Sequence, residues 1–258
     1  MKLLMIGHLL GDFYFQTNKM VEKKEESFWS TATHCLIYAI AICLVLFLVT
    51  GKIGKYILPV LIIGVLHFFI DSIKMSVNKV YETPKMQLTV FVIDQIIHIL
   101  ILFFASRVLI IEPNMEWNLG VFGRILIEKP IAIFMFLFCG KPAAIIVSLV
   151  FGLIPNTIVE AEKQNVAVTD NQNNDVKTTE SKKKESAKIG SWIGILEREI
   201  ILILGLLGEY EAIGFVIAAK SLARHSQFDN KAFAEKYLVG TLLSTLIAIF
   251  GIVLCSIF

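Results

Sequence analysis

The sequence predicts an all-α, polytopic integral membrane bundle of about seven to eight helices, and three observations carry that prediction. Of 258 residues, 56% are hydrophobic and 18% are charged, against about 25% charged in a soluble domain, and mean hydropathy is +0.72. The polar residues are also segregated, since positions 160–188 hold 12 of the 46 charged side chains. Finally, five apolar runs, near 31–50, 55–78, 87–111, 130–154 and 234–258, reach the roughly 20 helical residues needed to cross about 30 Å of hydrocarbon. None alternates like a strand, and backbone groups in lipid must be paired within their own segment, so the runs read as helices.

In chain order, residues 2–16 form an element short for a full crossing. It opens like a signal peptide, but it carries His8 and Asp12 inside the apolar stretch and lacks a small-x-small cleavage site, so it is expected to be retained. A polar connection leads to the first long run. The second and third runs are separated by Tyr81-Glu82-Thr83-Pro84, which reads as the turn of an antiparallel hairpin. Lys141 and Pro142 interrupt the 130–154 run and predict a kink or hairpin there. The stretch 160–188 is rich in Asn, Thr, Lys and Gln and has no net charge, which is the composition of a mobile linker. The chain therefore divides into an N-terminal transmembrane bundle (1–157), a polar linker (158–188) and C-terminal transmembrane helices (189–258), the last including the interrupted runs 190–206 and 210–224.

Lys and Arg number 12 over 17–30, 74–86 and 160–188, against 5 over 51–56 and 107–129. The positive-inside rule places the first set, linker included, in the cytoplasm. A net charge of +2 with no basic stripe gives no footprint for nucleic acid. Cys35, Cys43, Cys139 and Cys255 are far apart in apolar runs and are expected to be inert thiols facing core or lipid. The absence of a GxSxG elbow, a P-loop or a dinucleotide fingerprint removes acyl-enzyme, NTPase and dehydrogenase chemistry.

The informative feature is the company the histidines keep. Four of the five have an aspartate four residues away: His8 with Asp12, His67 with Asp71, His98 with Asp94 and His225 with Asp229. Random placement predicts about 0.2 such pairs, and i,i+4 is the spacing that sets two side chains on one helix face. Three of the pairs lie in apolar sequence, where an ionisable group costs about 2.5–3.5 kcal/mol even on a lenient insertion scale and needs a partner. Register supplies one: about the 81–84 turn, His67 mirrors His98 and Asp71 mirrors Asp94, both pairs sharing the midpoint 82.5. His8 and His34 are likewise symmetric about residue 21, inside the polar connection. His8, Asp12, His34, His67, Asp71, Asp94 and His98 are thus candidate ligands for a divalent metal, Zn foremost with Mn or Fe as alternatives. Gln16 and Gln95 could hydrogen-bond around them. The same groups also suit a metal-free structural network or a proton or ion pathway. His225 and Asp229 follow Arg224 in a polar loop and read as solvated.

The C-terminal helices carry Arg198, Lys220 and Arg224, which could form a pocket for an anionic lipid headgroup or snorkel and pair with Glu197, Glu209 or Glu211. Gly190, Gly194, Gly205, Gly208 and Gly214 would allow close helix approach or breaks.

The motifs GHLLGDFYFQT, HFFIDSIK and FVIDQIIH, with GILERE, GEYEAIGFVIAAKS and VGTLLS toward the C-terminus, resemble an uncharacterised bacterial membrane family, domain of unknown function 3307. More distantly, HxxxD on apolar helices looks like the membrane-bound metal-dependent hydrolases, a resemblance that implies His8, His34, His67 and Asp71 as ligands. This chain lacks the HRxxTHS-like run of that group, since Ser30-Thr31-Ala32-Thr33 precedes His34. The leading expectation is a metal site that activates water to cleave a lipid-linked phosphate or ester, with one metal-free carboxylate, Asp71 or Asp94, accepting the proton and membrane lipid as partner. A cation- or proton-coupled transporter and a non-catalytic protein with a structural network are the alternatives. A transporter usually carries a repeated half, and none is visible in the sequence.

Overall fold

The computed structural model describes residues 1–17, 20, 28–80, 83–112, 125–154, 176–225, 228–229 and 231–257, with the side chains of 79, 176–188 and 232 excepted. Among the described residues every regular element is helical. These are α1 (Lys2–Leu9), a π-helical turn (Leu10–Tyr14), α2 (Phe28–Thr50), α3 (Gly54–Val80), α4 (Pro84–Val108), α5 (Pro130–Cys139), α6 (Lys141–Gly152), α7 (Val176–Leu207), α8 (Tyr210–Ala223) and α9 (Lys231–Ile257). Five stretches are long and apolar enough to cross a membrane: Phe28–Thr50, Gly54–Asn78, Pro84–Val108, Pro130–Gly152 and Phe233–Ile257. They match the five apolar runs of the sequence. The chain is a membrane protein of helical-bundle class.

The chain divides into two compact units, Met1–Pro142 and Ala143–Phe258. In the first, α1 and its π turn pack against α2, α2 against α3, and α3 against α4, while α1 also meets α5. Its core joins Leu4, Tyr38, Ile42, Tyr56, Ile63 and Leu102. The opposite face of α2 exposes Leu36, Ile40, Leu44 and Phe47 at helical spacing, as suits a helix whose outer solvent is hydrocarbon rather than water.

Local chemistry sets the boundaries. Gly51 takes the left-handed conformation (φ 66°) that ends α2, and the Thr50 hydroxyl donates to the Leu46 carbonyl at 2.8 Å. Thr83 caps α4 by accepting from the Met86 N–H, with Pro84 at the first helical position. The predicted interruption at Lys141-Pro142 is a break at Gly140 between α5 and α6.

The second unit packs α7 against α9 and α8. A Cβ at Gly205 would lie 2.1 Å from Ile252 Cδ1, so α7 and α9 approach through that glycine. Gly208 (φ 81°) stops α7 before α8. The backbone of 176–188, expected as linker, continues α7 toward the N-terminus as helix. Residues 158–175 of that expected linker lie outside the described residues.

Candidate metal centre

The site is assembled by four elements of the first unit, and small residues let them close. Cβ atoms at Gly7 and Gly11 would stand 2.9 Å from the Cα atoms of Ile42 and Tyr38. Only glycine permits this contact, which brings α1 onto the backbone of α2. The next turn widens to π geometry, with Phe15 N–H donating to the Leu10 carbonyl at 2.8 Å, and such turns recur at functional sites. Asp12 sits in that turn. The Tyr14 hydroxyl pins its far end by donating to the Leu137 carbonyl on α5 at 2.8 Å.

Asp12 Oδ1, His34 Nε2 and His67 Nε2 form a compact donor triad. His34 Nε2 is 3.1 Å from His67 Nε2 and 3.3 Å from Asp12 Oδ1. Asp71 Oδ2 approaches the same two nitrogens at 3.6 and 3.7 Å, and Asp12 Oδ1 is 3.8 Å from His67 Nε2. Donors about 2.0–2.2 Å from a tetrahedral ion are separated by about 3.3–3.6 Å, a range that these separations bracket, and the shortest of them is also a hydrogen-bond distance. His34, His67, Asp71, Asp94 and His98 are 0–3% exposed. Beside the triad, Asp71, Asp94 and His98 form a second set of donors within 4.8 Å of one another, and Cys35 with His67 and Asp71 a third.

Hydrogen bonds assign the tautomers. His98 Nδ1 lies 2.8 Å from the Asp94 carbonyl, which only accepts, so Nδ1 carries the proton and Nε2 the lone pair. His67 Nδ1, 2.6 Å from His98 Nε2, therefore donates, and His67 Nε2 turns an unprotonated nitrogen toward Asp12, Asp71 and His34. The His67 ring lies flat on Tyr38, with centroids 3.9 Å apart. Gln95 follows the same logic. Its amide group donates to Asp12 Oδ2 at 3.3 Å and Asp94 Oδ2 at 3.0 Å, which leaves its oxygen to accept from His8 Nε2 at 3.2 Å. His8 Nδ1 then accepts from the Tyr38 hydroxyl at 3.3 Å. Both His8 nitrogens are engaged, and the residue positions Gln95 from the edge of the cluster.

Lys74 enters from the side, its Nζ 2.7 Å from Asp94 Oδ2. With neutral imidazoles, three carboxylates and one ammonium leave a formal charge of −2 among these groups. Burial pushes the His8 imidazole below its ordinary value, with Asp12 acting in the opposite sense. Burial disfavours the Asp12 carboxylate, but the His34 hydrogen bond and neighbouring positive charge hold its carboxyl well below the usual range.

The α3–α4 register is as the sequence predicts: His67 meets His98, and Asp71 lies with Asp94. Between α1 and α2 the register differs. His8 pairs with Tyr38 and Asp12 with His34, so the axis falls at residue 23 instead of 21 and His34 faces a carboxylate. Three participants were not anticipated. Lys74 follows Asp71 by three residues and Tyr38 follows His34 by four, spacings that share a helix face. Cys35, expected to be inert, is buried with its sulfur within 4.8 Å of donor atoms of His67 and Asp71; nothing in its sequence context marks it.

In the second unit, Arg198 is 2% exposed and donates to Ser244 Oγ at 3.2 Å. Lys220 pairs with Glu197, and the Arg224 guanidinium lies 5.9 Å from the Phe233 ring centroid. A cavity of about 10 Å³, bordered by Glu197, Lys220, Thr241 and Ser244, has room for one water. His225 and Asp229 are exposed, as expected of loop residues.

Fold and site together define a helical, multi-pass membrane protein with a buried His, Asp and Lys cluster in its N-terminal unit. Residues 1–121 match the model of a family described as protein of unknown function (DUF3307), and this part of the chain contains every residue of the cluster. The chain matches no curated protein and no solved structure.

Proposed function

We propose that the N-terminal unit holds a divalent metal ion between Asp12, His34, His67 and Asp71, and that the ion serves hydrolysis of a lipid-borne phosphate or ester. The observation that carries this reading is the charge: the donors surround one point with formal charge −2 and His67 turns a lone pair toward two carboxylates. Such a concentration of negative charge costs several kcal/mol per ion in a low-dielectric interior. One divalent ion neutralises it. Two imidazoles with two carboxylates suit Zn, and also Mn or Fe. Bound, the ion would supply Lewis acidity and lower the pKa of a water. A carboxylate not bound to the ion would accept the proton: Asp94, which Lys74 and Gln95 steady, or Asp71 where Asp12, His34 and His67 alone hold the ion. Separately from the metal site, Arg198, Lys220 and Arg224 of the second unit are the proposed contacts for an anionic lipid headgroup, in a bacterial inner membrane.

The enclosure of the donors favours a second reading, in which the same site carries a cation through a transport cycle. Metal content of the full chain, purified in detergent without chelator or His-tag, tests the site. Near-stoichiometric metal in the wild type, lost in His67→Ala, is expected; a metal-free protein that does not take up metal on incubation sinks both readings and leaves a structural network. Hydrolysis of lipid phosphates, against ion flux into proteoliposomes, then separates the two.

A further inference from the structure

The second donor set deserves its own chemistry. Asp71 belongs to the second set, and its Oδ2 also stands 3.6 and 3.7 Å from the His34 and His67 nitrogens of the triad, the place a carboxylate shared between two ions takes in dinuclear bundle sites. Asp94 is 3% exposed, and its Oδ1 accepts no hydrogen bond among the described residues, with His98 Nδ1 3.6 Å away. Its other oxygen is held by Lys74 Nζ at 2.7 Å. An ammonium therefore stands against the carboxylate that a second metal would use.

Resting on the metal site proposed above, we propose that Lys74 takes the place of a second metal ion: its ammonium keeps the centre at one ion, and removing it opens a second divalent site on the carboxylates of Asp71 and Asp94, with His98 Nε2 joining as it gives up the hydrogen bond from His67. Charge gives the direction. With Lys74 present, one divalent ion brings the cluster to neutrality; without it the formal charge is −3, and a single ion leaves an uncompensated buried carboxylate. The second set is oxygen-rich, which favours Mn²⁺ as the probe.

The experiment equilibrates the full-length protein in detergent with Mn²⁺, removes unbound ion, and measures ions per chain by mass spectrometry and spin coupling by electron paramagnetic resonance. Wild type and Lys74→Arg are expected to hold one ion. Lys74→Met and Lys74→Gln are expected to hold two, with the exchange-coupled spectrum of ions sharing a carboxylate, and adding Asp94→Asn to either should return the count to one. One ion in both neutral variants overturns the role of Lys74 and leaves the single-ion site standing, whereas no ion in the wild type overturns both. A neutral variant that unfolds in chelator and is restored by Mn²⁺ with a two-ion dependence supports the proposal. One that Mn²⁺ does not restore counts against it.

Discussion

Removing the His67 imidazole takes away a candidate ligand, the donor to His98 and the ring stacked on Tyr38 at once. His67→Ala is therefore expected to lose both bound metal and thermal stability. Residues one step out separate these effects. Gln95→Ala frees two carboxylates and His8 from their common partner and should weaken metal binding about 10–100-fold, as loss of an outer hydrogen bond to a ligand typically does. Tyr38→Phe removes only the hydroxyl that His8 accepts from. It should cost about 0.5–1.5 kcal/mol in a thermal melt while the metal content stays unchanged; loss of metal there would mean that His8 belongs to the coordination shell.

Among the elements, α1 is the one whose placement depends most on single residues. Gly11→Val would drive a side chain into the Tyr38 backbone, an overpacking worth about 1–3 kcal/mol, and would carry Asp12 away from His34. Loss of metal together with a lowered melting temperature is expected. Gly54→Ala, which meets nothing within 4 Å, should change neither, and equal effects from the two would show that α1 is not held by close backbone contact. The same contrast explains what was legible in the sequence. A short turn ties α3 to α4, so symmetry about 82.5 was enough to bring His67 to His98. The longer connection after α1 leaves its register to Gly7, Gly11 and a π turn, and a π turn leaves no hydrophobic period to read. The breaks at Gly140 and Gly208 follow from residues visible in the sequence, whereas the helical backbone over 176–188 runs against a composition with almost no large apolar side chains.

At the scale of the molecule, every residue of the cluster falls within Met1–Pro142, so a chain ending at residue 154 is expected to retain the metal content of the full protein. A loss would mean that the second unit completes the site. The spans were legible because hydrocarbon thickness imposes length and apolarity on each. In the sequence Lys74 counts among the loop charges of 74–86, and nothing there pairs it with Asp94. Its pairing with Asp94 bears on how the protein is made. Emerging singly from the insertion machinery, α3 would present His67, Asp71 and Lys74 to lipid, and α4 would present Asp94 and His98. Each central charge would carry a penalty of about 2.5–3.5 kcal/mol. Delivered as a hairpin, the two helices enter with Lys74 and Asp94 already neutralising one another at 2.7 Å, so α3 should wait at the translocon until α4 has been synthesised. Glycosylation-tagged insertion assays would then find the pair integrating far more efficiently than either helix alone, and Asp94→Ala should strand α3 outside the bilayer more often even though the substituted helix has become more apolar.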